Sequence, residues 1–142
     1  MRQFLIDTHV ALWLIANDRD NLPDAIRDDI ESFVNRYYIS AASLMEIVDL
    51  QRKKAITTAA SPMSILAHLA QWNIMPVDIS PDILETYYEE GIPETPEMVH
   101  KDPLDRLIIA TALTRRLTLI SADHKFPWWQ RHRHLDLLYF GK

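Results

Sequence analysis

Short apolar runs alternate along this chain with stretches of helical periodicity, and this alternation restricts the fold more than any other feature. Phe4-Leu5-Ile6 stops at Asp7-Thr8, and Val10, Leu12, Trp13, Leu14 and Ile15 then follow the pattern of a mostly buried helix. Residues 23–35 read as an amphipathic helix, with Ala25, Ile26, Ile30, Phe33 and Val34 at helical spacing and Pro23 in its first turn. Tyr37-Tyr38-Ile39-Ser40 reads as a strand and residues 41–53 as the next helix, where Ser43-Leu44-Met45-Glu46 fits a capping box. Residues 62–72 are expected to be helical. Residues 74–79 are expected to form a strand despite Pro76, and residues 81–88 a helix. Residues 91–99 carry prolines and glutamates without periodicity and read as a loop.

The stretch His100-Lys101-Asp102-Pro103-Leu104-Asp105-Arg106 then opens onto the apolar run Leu107-Ile108-Ile109-Ala110-Thr111-Ala112-Leu113. Asp102 suits an N-cap and Pro103 the first helical position, where its missing N–H is no loss. Asp105 falls in the first turn, where the helix dipole favours an anion. A helix start therefore explains both acids without any chemistry. The helix is expected to end near Arg115-Arg116. Leu117-Thr118-Leu119-Ile120-Ser121 is the clearest strand and delivers Asp123 just past its carboxyl end. A short helical turn at 126–130 and a last strand at 135–140 complete the pattern.

Strands and helices joined by short connections predict an α/β fold, with a central parallel sheet of about four to five strands flanked by helices on both faces. Ligands in such sheets bind beyond the carboxyl ends of the strands. Asp7 and Asp123 lie at two strand exits, Glu46 lies in a helix that follows a strand, and Asp105 opens the helix before the strongest strand. Each has a local explanation, as a strand terminator or a cap, but together they are expected to face one crevice.

At 142 residues the chain suits a single domain, residues 1–142, with a core large enough to need neither disulfides nor structural metal. It has no cysteine, which excludes thiolate metal sites and cysteine nucleophiles and fits a reducing cytoplasm. A charge interrupts the first apolar run and no stretch has membrane-spanning length, so neither a signal peptide nor a membrane anchor is expected. The formal net charge of −5 argues against binding nucleic acid through simple electrostatics. That objection weakens if converging acids hold cations, whose charge inverts the local balance. Basic residues do cluster, at Arg52-Lys53-Lys54, Arg115-Arg116 and from Lys125 to Arg133.

Carboxylates packed together raise one another's pKa and need protons or cations. Hard oxygen donors select Mg²⁺ or Mn²⁺, as one ion or two. Such ions acidify water and stabilise charge developing on a phosphate, which points to a phosphodiester substrate.

Four motifs, in order, carry a resemblance: Leu5-Ile6-Asp7-Thr8-His9 with Leu12-Trp13-Leu14; Ile39-Ser40-Ala41-Ala42-Ser43-Leu44-Met45-Glu46-Ile47; the stretch from His100 to Ala110; and Leu119-Ile120-Ser121-Ala122-Asp123. Across nearly its whole length the chain resembles the PIN-domain family, most of all its small prokaryotic branch of VapC-like toxins. The resemblance implies a metal-dependent endoribonuclease, the toxin of a type II toxin–antitoxin pair, with Asp7, Glu46, Asp105 and Asp123 as catalytic and metal-holding acids. Asp7, Asp105 and Asp123 would hold the metal directly or through water, and Glu46 would complete the site or position the nucleophilic water. Asp102 would be a cap or an outer supporting group, and the products would carry 5′-phosphate and 3′-hydroxyl ends. A cognate antitoxin and a homodimer are the partners it implies.

Thr8 and Ser121 are placed to support the acids through their hydroxyls, and His9, His100 and Arg106 are candidate substrate contacts. Arg106 has a plainer alternative, pairing with Asp102 or Glu46. Trp13, Trp72, Trp128 and Trp129 can stack on unpaired bases, although core packing is the commoner use. Trp128-Trp129, set between Lys125 and Arg131, is the pair best placed to receive single-stranded RNA, an antitoxin segment or a second copy. A haloacid-dehalogenase-like phosphatase would need a second Asp where this chain has His9. A receiver domain would need paired acids near the first strand and a late strand-end Lys. The remaining rival is a catalytically silent binding protein on the same scaffold, acting through RNA or protein partners.

Overall fold

Phe4, Leu5 and Ile6 form the buried centre of β1 (Gln3–Ile6), and their side chains alternate between two cores. The computed structural model describes residues 1–91 and 102–141. On either side of β1 lie β2 (Arg36–Ser40) and β4 (Thr118–Ser121), with β3 (Met75–Val77) and β5 (Leu137–Tyr139) at the edges. The sheet order is β3-β2-β1-β4-β5 and every pairing is parallel. Ile6 lies level with Ile39 of β2 and Ile120 of β4, so the carboxyl ends of the three central strands are flush.

Parallel strands need crossovers, and helices supply them. One face is covered by α1 (Thr8–Ile15), α2 (Asp24–Ser32) and α4 (Pro62–Ala70), whose Val10, Leu14, Ile26, Ile30, Ile65 and Leu69 meet Phe4, Ile6, Ile39 and Ile120. The other is covered by α6 (Pro103–Arg115) and α7 (Phe126–Arg133), whose Ile108, Ile109, Phe126 and Trp129 meet Leu5 and Leu119. α3 (Ala41–Arg52) contributes Ile47 to the first core and Ala42 to the second, and α5 (Pro81–Glu90) packs on α6. Residues 108–112 are buried without a break because α6 is held between α5, α3 and β4, which removes any amphipathic pattern.

The expected α/β architecture is thus realised with five parallel strands among the described residues. Several boundaries differ from those expected. The helix expected over 23–35 stops at Ser32, and Phe33 takes a left-handed conformation with φ of 59°. Phe33 and Val34 are 54% and 65% exposed and do not continue the buried stripe. Here the Ser32 hydroxyl donates to the Asp29 carbonyl, and the Asn35 side chain donates to the Asp29 carboxylate, so local polar bonds displace helical ones. The strand expected over 74–79 shrinks to β3, an edge position where Pro76 costs no ladder bond. The turn expected at 126–130 is a full helix to Arg133. The loop expected at 91–99 lies, from residue 92 onward, outside the described residues, as does His100.

Candidate active site

Strand order reverses beside β1, where the chain leaves once towards β2 and β3 and once towards β4 and β5, and such a switch point opens a crevice at the carboxyl ends. Asp7 stands at its centre as the N-cap of α1. Its Oδ1 accepts from the Thr8 N–H at 2.7 Å, and its Oδ2 accepts from the Ser121 hydroxyl at 2.7 Å. The same hydroxyl accepts from the Asp123 N–H at 3.0 Å, so one β4 side chain ties together the acids that end two strands. Asp123 Oδ1 in turn accepts from the Lys125 N–H at 2.9 Å, which fixes the turn after β4.

Glu46 comes from α3. The expected capping box is not formed, because the N-cap is Ser40, whose hydroxyl accepts from the Ala42 N–H at 3.0 Å. Ser43 lies inside the helix with its hydroxyl buried and unbonded, and Glu46 is a turn further in. The cap explanation for Glu46 therefore fails, since its carboxylate is too far along the helix to satisfy the first amides. Asp102 does cap α6, with Oδ1 accepting from the Leu104 N–H at 2.9 Å, and Pro103 follows as the first helical residue.

Glu46, Asp102 and Asp105 each bring a carboxylate oxygen within 4.8 Å of the others. These three, with Asp7 and Asp123, line a crevice of about 450 Å³. Asp102 is thus brought closer to Glu46 and Asp105 than its expected role as a helix cap or outer group required, while Asp7 and Asp123 form a second pair beside the trio.

The electrostatics reflect this crowding. Burial pushes the Asp7 carboxyl up, the hydrogen bonds from Ser121 and Thr8 and the nearby His9 work against the rise, and Asp123 adds to it. Burial, then repulsion from Asp105, Asp7 and Asp102, pushes Glu46 up to about 7. The fully buried Thr8 hydroxyl favours the ionised form of Glu46 but closes no hydrogen bond of normal geometry. Excess negative charge, all-oxygen donors and an orphaned hydroxyl suit a hard divalent cation.

The other candidates divide. His9 is exposed and lines the crevice. Arg106 turns away to α5, where its guanidinium lies 4.3 Å from the Tyr87 ring centroid and donates to the Tyr87 hydroxyl at 3.2 Å. It pairs with neither Asp102 nor Glu46. Trp128 and Trp129 are 6% and 1% exposed, packed in the second core with His132 and Arg133 over the Trp128 ring, so neither offers an open face for a base. The tryptophans expected there as a binding surface are core because α7 is a complete helix that docks its aromatic face on the sheet, while Arg131, His132 and Arg133 stay exposed.

Asp49 and Lys53 also line the crevice and were not singled out as site residues from the sequence. They follow Glu46 at i+3 and i+7, the same face of α3, and this spacing is the signal that identifies them. Lys53 gives the crevice an ammonium at its outer edge. A second cavity, of about 420 Å³, opens at the amino ends of the strands between Met1, Phe33, Arg36 and Met75, and among the described residues no carboxylate lines it.

The sequence matches the family model of the PIN domain over residues 4–128. It is 31% identical over 134 residues to the ribonuclease VapC22 of Mycobacterium tuberculosis (strain ATCC 25618 / H37Rv), covering 94% of this chain and 95% of that protein. The fold is similar to that of VapBC2 from Rickettsia felis bound to a DNA fragment from its promoter, with a TM-score of 0.66 at 19% identity over 96% of this chain and 98% of that one. A toxin–antitoxin complex from Klebsiella pneumoniae is similar too, with a TM-score of 0.63 at 19% identity over 98% and 99% of the two chains. With the matched segment running from β1 into α7 and carrying all six acids that line the crevice, this chain belongs to the PIN domain family.

Proposed function

We propose that this protein is a metal-dependent endoribonuclease and the toxin half of a toxin–antitoxin pair. The observation that carries this reading is the convergence of Asp7, Glu46, Asp102, Asp105 and Asp123 on one crevice at the sheet's switch point. The ribonuclease relative and the toxin–antitoxin complexes of like fold support it.

Glu46, Asp102 and Asp105 would hold a Mg²⁺ or Mn²⁺ ion, which their mutual approach supports, and Asp7 with Asp123 would hold a second ion or reach the first through water. A bound cation supplies charge neutralisation for the phosphate and lowers the pKa of water. Ser121 holds Asp7 and Asp123 in register, and Thr8 supports Asp7 from its backbone. Glu46, beside the ion, would position the attacking water, which would lose its proton to solvent as a new oxygen–phosphorus bond forms and the bond to the 3′-oxygen breaks. That oxygen takes a proton from solvent and leaves as a 3′-hydroxyl, and the 5′-phosphate stays on the downstream fragment. His9 and Lys53 are placed to contact the substrate at the crevice edge. An antitoxin that covers the crevice and a second copy of this chain are the proposed protein partners. Among the described residues no helix is long and apolar enough to cross a membrane.

The test is incubation of the purified chain with transfer and ribosomal RNA under Mg²⁺, Mn²⁺ or a chelator, beside an Asp7→Asn variant. Discrete fragments are expected that need the cation and disappear in the variant. A folded, partner-free, metal-loaded chain that cuts nothing would return the protein to a binding role.

A further inference from the structure

The crevice face of α3 runs from Glu46 through Asp49 to Lys53, and the helical rise carries Lys53 about 10 Å along the axis from Glu46. Lys53 is the one lysine or arginine that lines the crevice among the described residues. α3 ends there in a Schellman turn. The Lys54 N–H donates to the Gln51 carbonyl at 3.0 Å and the Ala55 N–H to the Leu50 carbonyl at 2.9 Å, with Lys54 left-handed at φ of 57°. Arg52, Lys53 and Lys54 therefore fan around a fixed helix end, and all three are exposed. Asp49 stands at the spacing that favours an ion pair with Lys53 but makes none, and among the described residues none of the three cations has an ion pair or a side-chain hydrogen bond. The other basic clusters are engaged elsewhere: Arg115 bonds Asp82 and Ser80, Arg133 pairs with Glu90 at 3.5 Å, and no residue from Lys125 to Arg133 lines the crevice.

The helix dipole accounts for cations in a last turn, and so for Arg52 and Lys53. It does not account for Lys54, which stands in the open at a left-handed position that glycine fills at lower cost. The crevice has a need that matches. Phosphates on either side of the one being cut face six carboxylates in a chain of net charge −5, so they require cations of the protein's own. We infer that the C-terminal turn of α3 is the track on which the RNA backbone leaves the crevice: Lys53 takes a phosphate flanking the scissile one, and Arg52 and Lys54 take phosphates beyond it. The inference rests on the ribonuclease reading and adds to it the path of the substrate, across α3 and not across the basic face of α7. Contacts of this kind position the strand without reading its bases.

The test is equilibrium binding of fluorescein-labelled transfer RNA to the Asp7→Asn chain in Mg²⁺ over a KCl series, a readout that does not depend on cleavage. Loss of one phosphate contact is expected to lower the slope of log affinity against log salt by about 0.7 and to weaken binding about five-fold at about 0.1 M salt. Lys53→Ala and Lys54→Gly are each expected to do this, whereas Lys53→Arg keeps slope and affinity, as does Arg131→Ala on the exposed side of α7. Lys54→Gly also relieves the left-handed backbone, so it is expected to raise the melting temperature while it weakens RNA binding, an opposition that a merely structural turn residue does not produce. In the otherwise unaltered chain both variants are expected to raise KM at a mapped cleavage site by the same factor. An unchanged slope and affinity in Lys53→Ala and Lys54→Gly overturn the track and leave the ribonuclease intact. An equal loss in Arg131→Ala overturns it too, because the attraction is then general charge. A folded wild type that cuts no RNA in the assay above overturns the ribonuclease reading and the track that rests on it.

Discussion

Ser121 does more at this site than its size suggests. Its hydroxyl donates to Asp7 and accepts from the Asp123 amide, so a single oxygen sets the distance between acids that leave two different strands. Ser121→Ala removes both bonds at a fully buried position. Cleavage is expected to fall about 10- to 100-fold, the usual effect of losing an outer partner of a metal-holding group. The Asp7 carboxyl, already raised by burial, loses the hydroxyl that most favours its ionised form, so the acid limb of the pH–rate profile is expected to move to higher pH. A residue that only packs would lower the melting temperature and leave that limb in place, which a pH series on the purified variant distinguishes.

At the scale of elements, α6 carries two duties on one residue. Asp102 caps the helix through Oδ1 and also stands in the trio with Glu46 and Asp105. Asparagine caps about as well as aspartate but brings no charge, whereas alanine does neither. Asp102→Asn is therefore expected to keep thermal stability near wild type while weakening Mn²⁺ affinity, read by calorimetry. Asp102→Ala is expected to lose the affinity and about 1 kcal/mol of stability as well. Equal cation binding by the wild type and Asp102→Asn would reduce Asp102 to a cap. α3 shows the reverse case: the Ser43 to Glu46 spacing fits a capping box, but Ser40 takes the cap one turn earlier and leaves Glu46 to the crevice.

Across the whole molecule the acids make stability depend on pH and on cations together. Glu46, at about 7 against an ordinary 4.5, and Asp7, also raised, bind protons more tightly folded than unfolded. Their proton-linked stabilisation is full below the ordinary carboxylate range and is lost as pH rises through about 7. In cation-free buffer the melting temperature is expected to decline over that window, and less so in Glu46→Gln. A divalent cation replaces the protons, so Mg²⁺ or Mn²⁺ should raise the melting temperature more at about pH 8 than at about pH 5. A cation at a hundred-fold excess over its Kd adds about 2.7 kcal/mol. Thermal unfolding with and without chelator at the two pH values checks the sign, and a cation effect independent of pH would separate the binding site from these acids.

The amino-acid sequence by itself determined the parallel α/β plan, the strand exits at Asp7 and Asp123 and the start of α6 at Asp102-Pro103, because apolar periodicity and capping chemistry act between near neighbours. It also placed the acids at one end of the sheet, since strands that run parallel share a carboxyl edge. Tertiary structure alone decided how those acids group. The 4.8 Å trio of Glu46, Asp102 and Asp105 depends on how α3 packs against α6, and the Asp7–Ser121–Asp123 link on β1 lying beside β4, across more than a hundred residues of chain. The fates of Trp13 and Trp128 were settled in the same way. Both lie in helical sequence, but α7 turns Trp128 into the second core while α1 leaves Trp13 half-buried, packed on the first core beside the crevice, and local sequence carries no record of which face a helix will find covered.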